Sequence, residues 1–213
     1  MPLDRTIVIA TALELLDEVG LDALTLRRLA ARLKVKAPAI YWHFKNKQDL
    51  LDEMATAVLG AESQRLTRKK NLRWDAWARF YGRSLRQALL RYRDGARMVS
   101  GTRLTDPSLY TSMEAALKRL TDAGFSSYTA TVILSTIYSY VIGFVIEEQA
   151  VVAKGGQIAD PYLRENRSRR IDSKKTPLAL EAGEFLFTNF DRRFNSGLKL
   201  IIHGIETANT KFP

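Results

Sequence analysis

Apolar residues recur at helical spacing along almost the whole chain. Val8, Ala12, Leu15, Leu16 and Val19 fall on one face of a 3.6-residue period and predict a first helix. Asp4 is placed to cap its start, and Gly20 stands where a helix-ending glycine belongs. A short second helix is predicted from about Leu26 to Leu33, opened by Thr25. A third runs from about Ala37 to Phe44, with Pro38 in the first turn, where a missing N–H costs nothing. Asn46 followed by Asp49 resembles a capping box for a fourth helix through Leu50, Leu51, Met54 and Val58.

The polar, basic stretch from Arg65 to Asn71 reads as a joint between an N-terminal unit, residues 1–64, and a larger helical body, residues 65–213. Helical periodicity resumes over Trp74–Tyr92, where Trp77, Tyr81, Leu85, Ala88 and Leu89 share a stripe. A short helix over Asp94–Ser100 follows, then a turn at Gly101 and a helix over Asp106–Ala123, closed by Gly124. A long helix is expected from near Ser126 to Val152, broken by Gly155-Gly156. The basic segment 154–176 is expected to be a mobile loop, either solvated or able to reach DNA or cover a pocket. Final helices are predicted near Pro177–Phe187 and Arg192–Asn209, the latter carrying Phe194, Leu198, Ile201, Ile202 and Ile205 at amphipathic spacing. No β alternation and no internal repeat is convincing, so the expected class is all-α.

Composition narrows the chemistry. The 213 residues hold no cysteine, which excludes a disulfide scaffold, a cysteine-ligated zinc finger and thiol catalysis. Only two histidines are present, His43 and His203. The second lies among apolar residues and reads as a packed or interface residue. No phosphate-binding glycine loop, no metal-spaced cluster and no nucleophile–base pair stands out, so an enzyme, a resident metal and a cofactor are not expected. The Met-Pro-Leu-Asp-Arg start has no apolar h-region, so no secretory signal is expected and the location is expected to be cytoplasmic. Residues 123–146 carry no charge but are rich in hydroxyls, which favours a buried helix over a membrane span. Lysine and arginine number 33 against 23 acids, a net charge of +10 that favours a polyanionic partner, either nucleic acid or an acidic membrane surface.

That charge is not spread evenly. Residues 23–48 contain Arg27, Arg28, Arg32, Lys34, Lys36, Lys45 and Lys47 and no acid. Two short helices joined by a tight turn have the layout of a helix-turn-helix, with Leu29, Ala30, Leu33, Val35 and Ile40 spaced to fix the crossing. Lys36, Ala37, Ala39, Tyr41, Trp42 and His43 would then face outward. Cations neutralise phosphates, tyrosine and histidine can hydrogen-bond them, and small side chains let a helix approach thymine methyl groups.

The run Leu24 to Lys47, with Tyr41-Trp42-His43 followed by Lys45-Asn46-Lys47 and Leu50-Leu51-Asp52, resembles the DNA-binding signature of the TetR family. Leu89-Leu90, Arg93-Asp94-Gly95-Ala96, Gly101-Thr102-Arg103, Gly124-Phe125-Ser126 and Leu200-Ile201-Ile202-His203-Gly204 extend the likeness to the body of the tetracycline repressors. The resemblance implies a homodimeric repressor of a palindromic operator, switched by a small molecule. It places Arg27, Lys36, Ala37, Pro38, Ala39, Tyr41, Trp42, His43 and Lys47 at the DNA, with Arg27 reading a base edge and Lys47 meeting a phosphate. Lys34 stands where the family often has glycine, which implies a left-handed turn costing about 1 kcal/mol.

The resemblance also implies an effector pocket, with departures. Val99 occupies the place of a magnesium-binding histidine, and Ser63, Tyr81, Leu85 and Ala116 replace other drug-contacting residues. Thr102, Arg103 and Glu147 remain. The implied lining is Ser63, Trp77, Tyr81, Leu85, Val99, Thr102, Arg103, Tyr110, Met113, Tyr138, Ile142, Phe144 and Glu147. It suits a flat or polycyclic hydrophobic compound, not tetracycline. A TetR-like activator and a helical lipid or membrane-surface protein remain alternatives.

Overall fold

The computed structural model describes residues 4–69, 71–152 and 156–208. The expected features at Met1-Pro2-Leu3, Lys154, Gly155 and Asn209 lie outside these residues. Among the described residues there are eleven α-helices, one 3-10 turn and no strand. The chain divides into two compact units, Met1–Ile142 and Gly143–Pro213.

In the first unit, α1 (Arg5–Val19) starts as expected: the Asp4 carboxylate accepts from Thr6 N at 2.8 Å. It ends at Gly20, whose φ of 77° would strain any other residue, and an added Cβ would lie 3.0 Å from the Asp94 carboxylate. Thr25 caps α2 (Leu26–Arg32) through Arg28 N. The join to α3 (Ala37–Tyr41) is a Schellman turn: Lys34 N donates to Ala31 O and Val35 N to Ala30 O. Lys34 holds its left-handed position with φ of 56°. α3 is shorter than expected, because Trp42, His43 and Phe44 form its closing turn. Leu24, Leu29, Ile40 and Phe44 are fully buried and pin the crossing, whereas Leu33 and Val35 are only half-buried.

Asn46 caps α4 (Lys47–Thr67) through Asp49 N at 2.9 Å, and the Asp49 carboxylate accepts from Lys45 N. The helix runs unbroken through position 64, so the expected joint begins only at its end. α4 packs against α1, α5 (Trp74–Leu90), α6 (Gly95–Val99) and α7 (Ser108–Asp122). α7 ends in a Schellman turn at Gly124, φ 96°, as its glycine signalled. α8 (Ser127–Val151) is, among the described residues, the one helix long and apolar enough to cross a membrane. Its stripe of Ala130, Ile133, Ile137 and Val141 is buried in the first unit.

The second unit holds the end of α8, α9 (Arg164–Ser168), α10 (Pro177–Leu186) and α11 (Phe190–Ala208). The segment expected to be a mobile loop is built instead: a 3-10 turn at Asp160–Tyr162 leads into α9. Arg167 explains the order. Its Nε donates to Tyr162 O at 2.9 Å, its guanidinium lies over Phe187, and it pairs with Glu184 on α10 at 3.6 Å. Phe144 packs edge-on against Phe190 and Phe194 in this unit's core.

Candidate DNA-binding surface and ligand cavity

The recognition surface is assembled by a division of labour among three arginines on α2. Arg28 donates to Ala23 O at 3.1 Å, and Arg32 makes a two-pronged pair with Glu18 on α1. Arg27 is exposed and has no intramolecular partner among the described residues. It keeps its full fork of donors for an outside acceptor.

On α3 and its closing turn, Trp42 is 89% exposed and Tyr41 54%. Lys36 and Pro38 are exposed, and Ala37, Ala39 and His43 are half-buried. Such exposure of two aromatic side chains next to lysines is costly for a free surface and suits a partner that covers them. Lys47 is partly engaged within the chain. Its Nζ donates to Leu21 O at 2.6 Å, which leaves two of three ammonium protons for a phosphate.

The body of the first unit holds a half-open cavity of about 610 Å³ between α4, α5, α7 and α8. Of the residues expected there, Ser63, Trp77, Tyr81, Leu85, Met113, Ala116 and Tyr138 line it. Trp77 and Tyr81 stack nearly parallel, 5.5 Å apart. Burial, with Tyr138 close by, raises the Tyr81 hydroxyl pKa, so this group stays a neutral donor. Ser112 on α7 donates to Ser63 at 3.1 Å, and Ser63 donates to Gly60 O.

Seven expected lining residues fall elsewhere. Val99 is packed into the core on α6, and Thr102 turns its hydroxyl back to Val99 O at 2.6 Å. Ile142 is buried outside the lining, and Tyr110 is 71% exposed on the outer face of α7. Arg103 does not enter the cavity. It faces a separate cleft with Trp42, His43 and Asp52, its guanidinium 3.7 Å from Asp52. Glu147 is exposed on the part of α8 that belongs to the second unit, where its neighbour Glu148 is the buried acid. Phe144, in that unit's aromatic core, is the other correction.

Two charged lining residues were missed, Glu62 and Arg119. Glu62 lies one helical turn from Val58 and Leu59 on α4, a spacing that could have flagged it. Arg119 donates to Leu72 O and Lys69 O and lies over Trp77.

Main-chain bonds tie the cavity wall to α4. Asp52, buried, accepts from Arg103 N at 3.0 Å, and Thr56 accepts from Thr105 N at 2.9 Å. Leu104, between them, lines the cavity. At the other end of this path, α6 is clasped to the start of the helix-turn-helix. Leu21 N donates to Asp94, Arg93 N donates to Asp17, and Arg97 pairs with Asp22 at 3.0 Å.

A helix-turn-helix with an unengaged arginine, joined through α4 to an apolar cavity, defines a ligand-responsive DNA-binding regulator. Residues 8–54 match the family model described as bacterial regulatory proteins, tetR family, and residues 68–209 match the tetracyclin repressor-like C-terminal domain. The tetracycline repressor protein class C of Escherichia coli is 42% identical, over 96% of this chain and 91% of its own length. A possible TetR family transcriptional regulator from Streptomyces coelicolor A3(2) superposes with a TM-score of 0.85 at 32% identity, covering 96% of this chain and 100% of that one. A glutamine-to-alanine variant of TetR from Acinetobacter baumannii AYE, in complex with minocycline, gives 0.74 at 38% identity, covering 97% and 98%. The chain belongs to the TetR family of ligand-responsive transcriptional repressors.

Proposed function

We propose that this chain is a cytoplasmic homodimeric repressor, not an enzyme, that grips a palindromic operator and lets go when a flat, apolar effector fills the first unit's cavity. Residues 1–64 carry the DNA contact, and residues 65–213, joined at the cavity by Leu59, Glu62 and Ser63 from the end of α4, carry ligand and dimer contacts. The single observation behind the reading is the free Arg27 fork beside the exposed Tyr41 and Trp42. A guanidinium matches guanine O6 and N7, while Tyr41, His43 and Lys47 set the register on phosphates. Dimerisation draws on α11, where Leu200 is 73% exposed beside His203 and Gly204 on one face. His203, expected to be packed or at an interface, is exposed, which fits the interface role.

The effector is not a magnesium-chelated tetracycline. Among the described residues, no group of three acids or histidines is spaced to hold a metal ion. Neither histidine lines the cavity, and Val99 is core. The residues present do not fit that complex, and an aromatic wall of Trp77, Tyr81 and Tyr138 fits an unmetallated ring system better. Footprinting the DNA upstream of the chain's own gene tests the operator. Protection over two half-sites is expected, and no protection at any fragment of the native locus would overturn the reading. Fluorescence titration with magnesium–tetracycline is expected to show no binding at micromolar concentrations.

A further inference from the structure

Glu62 is an acid in the wrong surroundings for its charge. Its side chain is 5% exposed, it lines the cavity, and Oε1 is buried without a hydrogen-bond donor. Its one charged neighbour is Arg65, whose Nη1 stands 3.9 Å from Oε2, too far for a hydrogen bond. Arg119, the cation in the cavity lining, is held by the Leu72 and Lys69 carbonyls and by Trp77. A buried acceptor left unsatisfied costs stability, and a charged one costs more. The long pair to the half-exposed Arg65 recovers little of that cost: α4 would be as well made with leucine at 62.

We propose that Glu62 anchors a protonated amine on the effector, which makes the natural ligand an aromatic cation. The inference rests on the first unit's cavity being the effector site. An ammonium group supplies both the missing donor and the countercharge. A neutral hydroxyl supplies only the donor, and an anion is repelled. The rings of Trp77, Tyr81 and Tyr138 line the same cavity, and a cation gains further attraction from such faces. The effector then has a flat apolar body against the aromatic wall and an amine at the α4 side.

The test uses two dyes with one fluorophore, dansylcadaverine, which carries a protonated amine, and neutral dansylamide. Both are titrated into the full chain and into Glu62→Gln, with fluorescence as the readout. The native chain is expected to bind the amine at least about tenfold more tightly, from one charged hydrogen bond. Glu62→Gln should abolish that preference and leave dansylamide affinity unchanged. Equal binding of both dyes by the native chain, or a preference that survives in Glu62→Gln, overturns the anchor and leaves the cavity reading standing. Failure of both dyes to bind the native chain overturns both. Loss of both dyes in Glu62→Gln marks the carboxylate as structural and also overturns the anchor. In the ligand-free protein, Glu62→Leu should raise the melting temperature by about 2–4 °C. A fall would overturn the proposal by the same logic.

Discussion

Lys34 sits where the chain must turn left-handed, with φ of 56°, in the same hydrogen-bonding pattern that Gly124 serves after α7. Both turns satisfy the last carbonyls of a helix, but only one uses the residue without a Cβ. Lys34→Gly should therefore stabilise the fold by about 0.5–1 kcal/mol, read as a higher denaturation midpoint in urea. Two arginines a residue apart make a sharper comparison. Arg28 is spent on Ala23 O and Arg27 is not. Arg27→Ala should cost about 1–3 kcal/mol of operator affinity and relax preference at one base pair. Arg28→Ala should change affinity far less, measured by gel shift at fixed salt. Tyr41→Ala should weaken binding on all operators alike, as a contact to the DNA backbone does.

At the scale of elements, the clasp between α6 and the Leu21–Asp22 turn depends on charge. The Arg97 guanidinium bonds and attracts Asp22 and holds its carboxyl below the ordinary value. A depressed folded pKa gives stabilisation that is complete above the ordinary carboxylate value and drains away as pH falls through the lowered one. Thermal melts of the native chain and Asp22→Asn should therefore differ slightly at neutral pH and converge only in acid, below about pH 4. Both partners are solvent-facing, which keeps the effect small. The helices themselves were legible because their ends are written in single residues: Asp4, Thr25, Asn46, Gly20 and Gly124 each do at the terminus what their chemistry allows. The segment 156–176 was not legible. Its order comes from Arg167 reaching Tyr162, Glu184 and Phe187, contacts between residues up to twenty positions apart. Composition reads such a stretch only as charged and solvated.

For the whole molecule, the exposed face of α3 was readable and the cavity only in part. A short helix declares its outward face by periodicity, so Tyr41 and Trp42 could be placed outside from spacing alone. A cavity is where facing helices fail to touch, and no single helix encodes that. Hence Tyr110 and Met113, neighbours on α7, divide between outer surface and lining. The dimer belongs to this scale as well. Leu200→Arg should yield a monomer by analytical ultracentrifugation and lose operator binding, because a single helix-turn-helix has only half of the phosphate contacts.

The hooks from Asp52 and Thr56 to the amides of Arg103 and Thr105 have an evolutionary corollary. An amide proton survives substitution by any residue but proline, so this link to α4 depends neither on the side chains at 103 and 105 nor on lining residues such as Ser63, Tyr81 and Met113. Chemical appetite can thus be rewritten without rebuilding the trigger, and a lineage holding this scaffold is free to acquire new signals one wall residue at a time.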